Sequence, residues 1–255
     1  PHARPRRPAQ HLDRMLPKWD FIPGQPQARI VAGADGREVL QLRVDMGLLQ
    51  LETTGRPDGS RPHGFPTYYE YLVAAAFEEG ERFELDAQRC LEVDREFYQF
   101  YHRRICWLAL REYGKAADDA EHTLRLMDFT SANAPVEEWA LMHEQYRPLV
   151  MFHRIQATAL VQLERENPEA AVQAIDRGLE QLQAVLADAD AADGETDDEE
   201  DDGFLDKLRE MRGSIAQHYE LGPTLSEQLA RAVAAEEYER AAELRDRIAR
   251  SQPGA

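Results

Sequence analysis

Lysine is almost absent from this chain. Only Lys18, Lys115 and Lys207 stand among 30 basic residues, and the remainder are arginine. That bias, with abundant alanine, reads as the signature of a GC-rich bacterial genome. Basic charge is short overall: 48 Asp and Glu face 30 Lys and Arg, for a net charge of −18. Such a balance excludes a general duplex-DNA or membrane-surface binder, which needs an excess of cations. Cysteine is scarce too. Cys90 and Cys106 make no disulfide framework and no CxxC pair, so reduced thiols in the cytoplasm are expected. The most apolar run, YLVAAAF at 71–77, is far too short to span a bilayer. The opening PHARPRRPAQ lacks the apolar stretch of a signal peptide. No GxxxxGK[ST] and no HExxH occurs, so neither a phosphate loop nor a zinc-peptidase helix is expected.

What is present divides along the chain. Residues 1–26, rich in Pro and Arg, read as a loosely held arm. Residues 27–187 form the body, which begins with strands. Leu40, Leu42, Val44 and Met46 alternate with Gln41, Arg43 and Asp45, the period of a half-buried strand. A shorter strand before it and the Asp35-Gly36 turn make a hairpin, and the apolar phase shifts at Gly47, predicting a bulge or break. So small a sheet must lean on helices.

From Pro66 the pattern is helical. Thr67 with Glu70 predicts a capping box, and Asn167-Pro168-Glu169 another helix start. Phe97, Tyr101, Ile105 and Leu108 share one face and are assigned to the core. Pro148 should split or kink its helix near Arg147. The segments 105–127 and 157–182 each pair an apolar helix with one carrying early alanines. This resembles the tetratricopeptide pattern, although Ala117 and Ala171 lie 54 residues apart rather than 34. The expected fold class is mainly α: a helical-repeat-like body, a small N-terminal β hairpin and a C-terminal antiparallel helical hairpin.

Residues 188–202 hold ten acids and no base; without them the net charge would be −8. A disordered acidic spacer over 188–203 is expected, with a reach of about 20–25 Å. A connecting helix, 204–222, carries the stripe Phe204, Leu208, Met211, Ile215 and Tyr219. Thr224 with Glu227 then caps the first helix of a hairpin over 223–251.

That hairpin places Leu225, Leu229, Ala232 and Val233 on one face, and Tyr238, Ala241, Ala242 and Ile248, with the stem of Arg245, on another. Leu229, Ala234, Glu237, Tyr238, Glu239, Ala241, Ala242, Leu244, Arg245, Asp246 and Ile248 read as E-[FY]-E-x-A-A-x-L-R-D-x-I with its preceding helix. This resembles the UVR motif, the helical hairpin shared by the UvrB and UvrC excision-repair proteins. The resemblance covers about 30 residues. It implies a protein-docking element, with Leu225, Leu229, Tyr238, Ala241, Ala242, Leu244, Arg245, Asp246 and Ile248 as the protein-binding residues. The partner it implies is another UVR-type protein or a second copy of the chain.

Two functions are weighed. The leading expectation is a non-enzymatic adaptor that needs no cofactor or metal and docks a partner through 224–250. The alternative is a small-anion or nucleotide-dependent enzyme or sensor built on GRPDGSRPHG (55–64), where Arg56, Arg61 and His63 are interleaved with glycine. His102 and Cys106, spaced i, i+4, are too few for a metal site.

Overall fold

The computed structural model describes residues 12–193 and 199–251, which fall into two compact units, 1–158 and 159–255. In the first, a three-stranded antiparallel sheet joins β1 (Gln27–Ala32), β2 (Glu38–Val44) and β3 (Gly47–Glu52) in the order β1-β2-β3. The phase shift at Gly47 is a second hairpin rather than a bulge: Val44 pairs with Gly47 across the two-residue turn Asp45-Met46. Met46 therefore stands at a turn, 89% exposed, and leaves the strand face. One face of the sheet carries Leu40, Leu42 and Leu51 onto Cys106 and Trp107 of helix α2 (Ala87–Ala109). The opposite face carries a polar ladder, in which Arg29 donates to Gln41 and Gln41 to Gln50.

The expected arm splits. Residues 1–11 lie outside the described residues. Further on, Trp19 is tied to the sheet, its ring 4.1 Å from the Arg29 guanidinium and its carbonyl accepting from Arg43 Nε at 2.8 Å.

Helix α1 (Tyr68–Glu79) starts at Thr67, whose hydroxyl accepts from the Glu70 amide. Helix α3 (Tyr113–Asn133) packs on α2, and the fully buried Ala116 and Ala120 lie on its inward face. Helices α4 (Glu137–Glu144) and α5 (Arg147–Glu164) are separate, with Pro148 in the first turn of α5, where its missing amide removes no helical bond. In the second unit α6 (Pro168–Asp193) packs against α7 (Glu199–His218), and Ile175, Leu182, Leu208 and Ile215 of the two helices are buried. Helices α8 (Leu225–Ala234) and α9 (Tyr238–Ser251) follow.

The acidic run differs from its expectation at both ends. Residues 188–193 continue α6 and 199–203 begin α7, while 194–198 lie outside the described residues. Alanines at 184, 187, 189, 191 and 192 favour helix, and the acids at 199–202 sit at the positive end of the α7 dipole.

One turn recurs. Arg111, Glu166, Glu220 and Glu236 all have left-handed φ, between 51° and 61°. After each, the next amide reaches back five residues: Glu112 to Trp107, Asn167 to Gln162, Leu221 to Ala216 and Glu237 to Ala232. This is the Schellman closure, made without the glycine that fits it best. The tetratricopeptide-like pairs share this turn, but so do the ends of α7 and α8, so it does not mark a repeat.

Two arginines are buried between α2 and its neighbours. Arg103 holds both oxygens of Asp119, at 2.9 and 2.7 Å. Arg104, 1% exposed, donates to Thr123 Oγ1 at 3.1 Å and to His153 Nδ1 at 3.3 Å. Burial and the Arg104 charge hold His153 down to about 3.

Two outcomes are expected. Arg111→Gly should stabilise the first unit by about 0.5–1 kcal/mol by relieving left-handed strain, and Arg111→Val should destabilise it. Urea unfolding followed by tryptophan fluorescence reads this, since Trp19, Trp107 and Trp139 all lie in that unit. The second concerns pH. Unfolded His153 takes up a proton near 6.5, but the folded chain resists until about 3. The unfolded state binds more protons throughout that window, so stability falls as pH drops through it, by up to about 1.4 kcal/mol per pH unit. His153→Gln should flatten the dependence of the urea midpoint on pH between 4.5 and 7.

Candidate functional site

The sequence pointed to two places, and their local geometries are opposite. In the 55–64 loop the backbone is fastened from several sides. Gly55, at φ 63°, brings the Pro66 carbonyl within 3.3 Å of where a Cβ would stand. The Arg56 amide donates to that carbonyl at 2.9 Å, and Arg103 Nη1 donates to the Gly55 carbonyl at 2.7 Å.

Arg56 itself is 3% exposed. Its Nη1 meets Glu92 at 2.8 Å, and its Nε lies 3.6 Å from both Asp58 and Glu96. Three carboxylates already surround it, so an incoming anion would be repelled. Arg61 turns away, exposed, with Nη2 3.3 Å from the Gly64 carbonyl. His63 stacks on Tyr71 at 3.9 Å between centroids. The three candidate anion ligands do not converge, because Arg56 is drawn inward by the carboxylates of α2.

The metal pairing fares no better. Cys106 is fully buried, its thiol pushed up to about 12 by burial, and His102 Nδ1 lies 2.8 Å from the Tyr98 carbonyl. Among the described residues no group of three or more His, Cys, Asp or Glu could hold a metal ion.

The C-terminal site is a helical hairpin. The capping box is complete: Thr224 Oγ1 accepts from the Glu227 amide at 3.2 Å, and Glu227 Oε2 accepts from the Thr224 amide at 2.7 Å. Helices α8 and α9 pack through Ala232, Ala241 and Leu244, with Leu225 and Leu229 against them. Three leucines, at ~1.5–3 kcal/mol each when fully buried, leave such a unit marginal by itself.

It is fastened to its own unit by Arg212 of α7, which reaches Asp176 of α6 and, at 2.8 Å, Glu227 of α8. These partners, opposed by burial, raise Arg212 above its ordinary value. Burial pushes Glu227 upward, but its bonds to Thr224 and Arg212 outweigh that and hold it below the usual range. A cleft of about 520 Å³ remains between α8 and the α6–α7 pair, lined by Val172, Ala216, Leu221 and Gln228 among others.

The nine residues expected to dock a partner thus fall into three groups. Ala241 and Leu244 are buried against α8, so the small side chain at 241 serves the closure of the hairpin itself. Leu225, Leu229 and Ile248 are half-buried. Tyr238, 69% exposed, shares an outward face with Ala242 and Arg245 at i, i+4 and i+7, and Arg245 pairs with Asp246 at 2.9 Å. Val233, 53% exposed beside the turn, extends the apolar part of the exposed surface and was missed in the docking set. The sequence placed it on the inner face with Leu225, Leu229 and Ala232, but it lies one residue past Ala232 and turns outward instead.

The C-terminal site is thus a compact helical-hairpin module, with a capping box, a small alanine-leucine core and an exposed aromatic beside its turn. Residues 223–252 match the family model described as the UvrB/uvrC motif. No curated protein and no solved structure matches the chain. Among the described residues, no helix is long and apolar enough to cross a membrane.

The loop geometry makes a direct prediction. Arg56→Ala would take the guanidinium away from the buried Glu96 and the half-buried Glu92, at a cost of about 3–5 kcal/mol, whereas Arg61→Ala should change stability by less than about 0.5 kcal/mol. Urea unfolding of the two variants, each against the parent chain, checks the contrast.

Proposed function

We propose that this chain is a non-enzymatic cytoplasmic adaptor that docks another UVR-type helical hairpin, on a partner protein or a second copy of itself. The observation that carries this reading is the outward face of the matched hairpin. Tyr238, Ala242 and Val233 are apolar and exposed on a module whose own core is already closed by Ala232, Ala241 and Leu244. A marginal two-helix unit gains most by burying such a face against a second helical pair. Aromatic side chains beside small ones are the usual anchors of that contact. Arg245, Asp246 and Glu239 around the patch supply a charged rim that selects orientation more than it adds affinity.

Disrupting the face and disrupting the hairpin are separable. Tyr238→Ser alters an exposed side chain and should leave helicity unchanged while weakening docking about tenfold or more, the usual scale for an aromatic anchor. Ala241→Glu instead places a charge inside the hairpin and should unfold α8 and α9 together. Sedimentation equilibrium of the full chain, with binding to an isolated UVR-type hairpin read by fluorescence anisotropy, tests both, and circular dichroism reports the folding. Docking that survives Tyr238→Ser and also removal of 223–255 would refute the adaptor reading.

A further inference from the structure

The apolar stripe of α2 goes only partly where its periodicity sent it: Phe97 and Leu108 pack against the core clusters, but the stripe is not closed over. Tyr101, Ile105 and Leu108 are only half-buried and Ala109 is exposed. With Leu149 and His153 of α5 they line an open cleft of about 450 Å³ inside the first unit. No carboxylate is among its lining residues.

Behind the polar part of the wall lies a buried cation that has no ion-pair partner among the described residues. Arg103 and Arg104 are adjacent, and the carboxylate beside them, Asp119, has both oxygens on Arg103. Among the described residues Arg104 makes hydrogen bonds only to neutral groups, Thr123 and His153, and its burial lowers it to about 10, still charged at neutral pH. Its guanidinium lies 5.9 Å from the Tyr101 ring centroid and 3.3 Å from His153 Nδ1, so it touches both polar residues of the cleft wall. Arg104 donates to Nδ1, which places the imidazole proton on Nε2. His153 is therefore a neutral donor, backed by a positive charge.

We infer that this cleft binds a small apolar monocarboxylate. The acyl body would lie along Ile105, Leu108 and Leu149, and the carboxylate would accept from Tyr101 and His153 in the field of Arg104. Three features select this class. The groove is apolar along most of its length, its polar end offers donors, and the uncompensated charge behind that end attracts an anion and repels a cation. The site lies in the first unit and owes nothing to the C-terminal hairpin.

The probe is hexanoate, titrated into the full chain by calorimetry with the melting temperature followed in parallel. Hexan-1-ol and hexylamine serve as length-matched controls. Hexanoate should bind saturably and raise the melting temperature, hexylamine should not bind, and hexan-1-ol should bind at least tenfold more weakly. Ala109→Trp, at an exposed position on the rim, should fill the cleft and abolish binding while the chain stays folded. His153→Phe keeps the ring but removes the donor, and should weaken hexanoate at least tenfold with little effect on hexan-1-ol.

Equal binding of hexan-1-ol and hexanoate would overturn the proposal, as would no saturable heat up to roughly 10 mM hexanoate. So would undiminished binding in folded Ala109→Trp. Capture of a peptide ending in leucine with a free carboxylate, where hexanoate fails, would overturn it in favour of a peptide terminus.

Discussion

The first unit is organised around one buried carboxylate. Glu96 of α2 is fully buried and accepts from the Tyr68 and Tyr69 amides at 2.6 and 3.0 Å, capping α1 from another helix. The same group faces His122 of α3 at 3.0 Å and Arg56 of the loop at 3.6 Å. A negative charge in so dry a place is tolerable only while every lone pair has a partner. That requirement brings loop, α1, α2 and α3 to one point. It also explains why the loop is held rigidly: Gly55, Arg56 and Arg103 complete the neutralisation and the backbone bonding around it. Arg56, weighed as an anion ligand, is engaged in meeting this structural demand.

The second unit solves a different problem. Its hairpin has too small a core to stand apart, so the Arg212 bridge to Asp176 and Glu227 fastens it to α6 and α7 while the seam stays partly open. Glu227 serves twice, in the capping box and in the bridge, so the start of α8 and its attachment depend on one carboxylate. The outward residues, Tyr238, Ala242 and Val233, take no part in that attachment, and the hairpin keeps an apolar surface beyond its own closure.

Much of the fold was legible in the sequence because its signals are local. Thr67, Asn167 and Thr224 cap the helices they were expected to cap, since a cap needs only an oxygen three residues from an amide. Pro148 separates α4 from α5, and Leu40 and Leu42 face the core. The UvrB/uvrC resemblance was legible for the same reason: its residues lie within one compact window. Illegible were features that depend on what lies opposite. No local pattern singles out Glu96 or Asp94 of α2, yet one is wholly buried and the other accepts from Trp139 and faces His143. The acidic run read as spacer from charge alone, although its alanines and the α7 dipole support helix at both ends.

By itself the sequence determined element types, most caps and turns, the mainly helical class and the motif at the C-terminus, all set by dihedral preference, periodicity and spacing along the chain. Only the tertiary structure decided which charges are buried and with whom. It turned Arg56 inward onto Glu92 and Glu96, left Arg104 without a carboxylate, and opened the Tyr101, Ile105 and Leu108 face to a cleft. It also closed Ala241 against α8 while leaving Tyr238 outside. The physical reason is that desolvation and pairing depend on groups distant in sequence: Arg56 lies 40 positions from Glu96 and Arg104 lies 49 from His153. No local pattern encodes those distances.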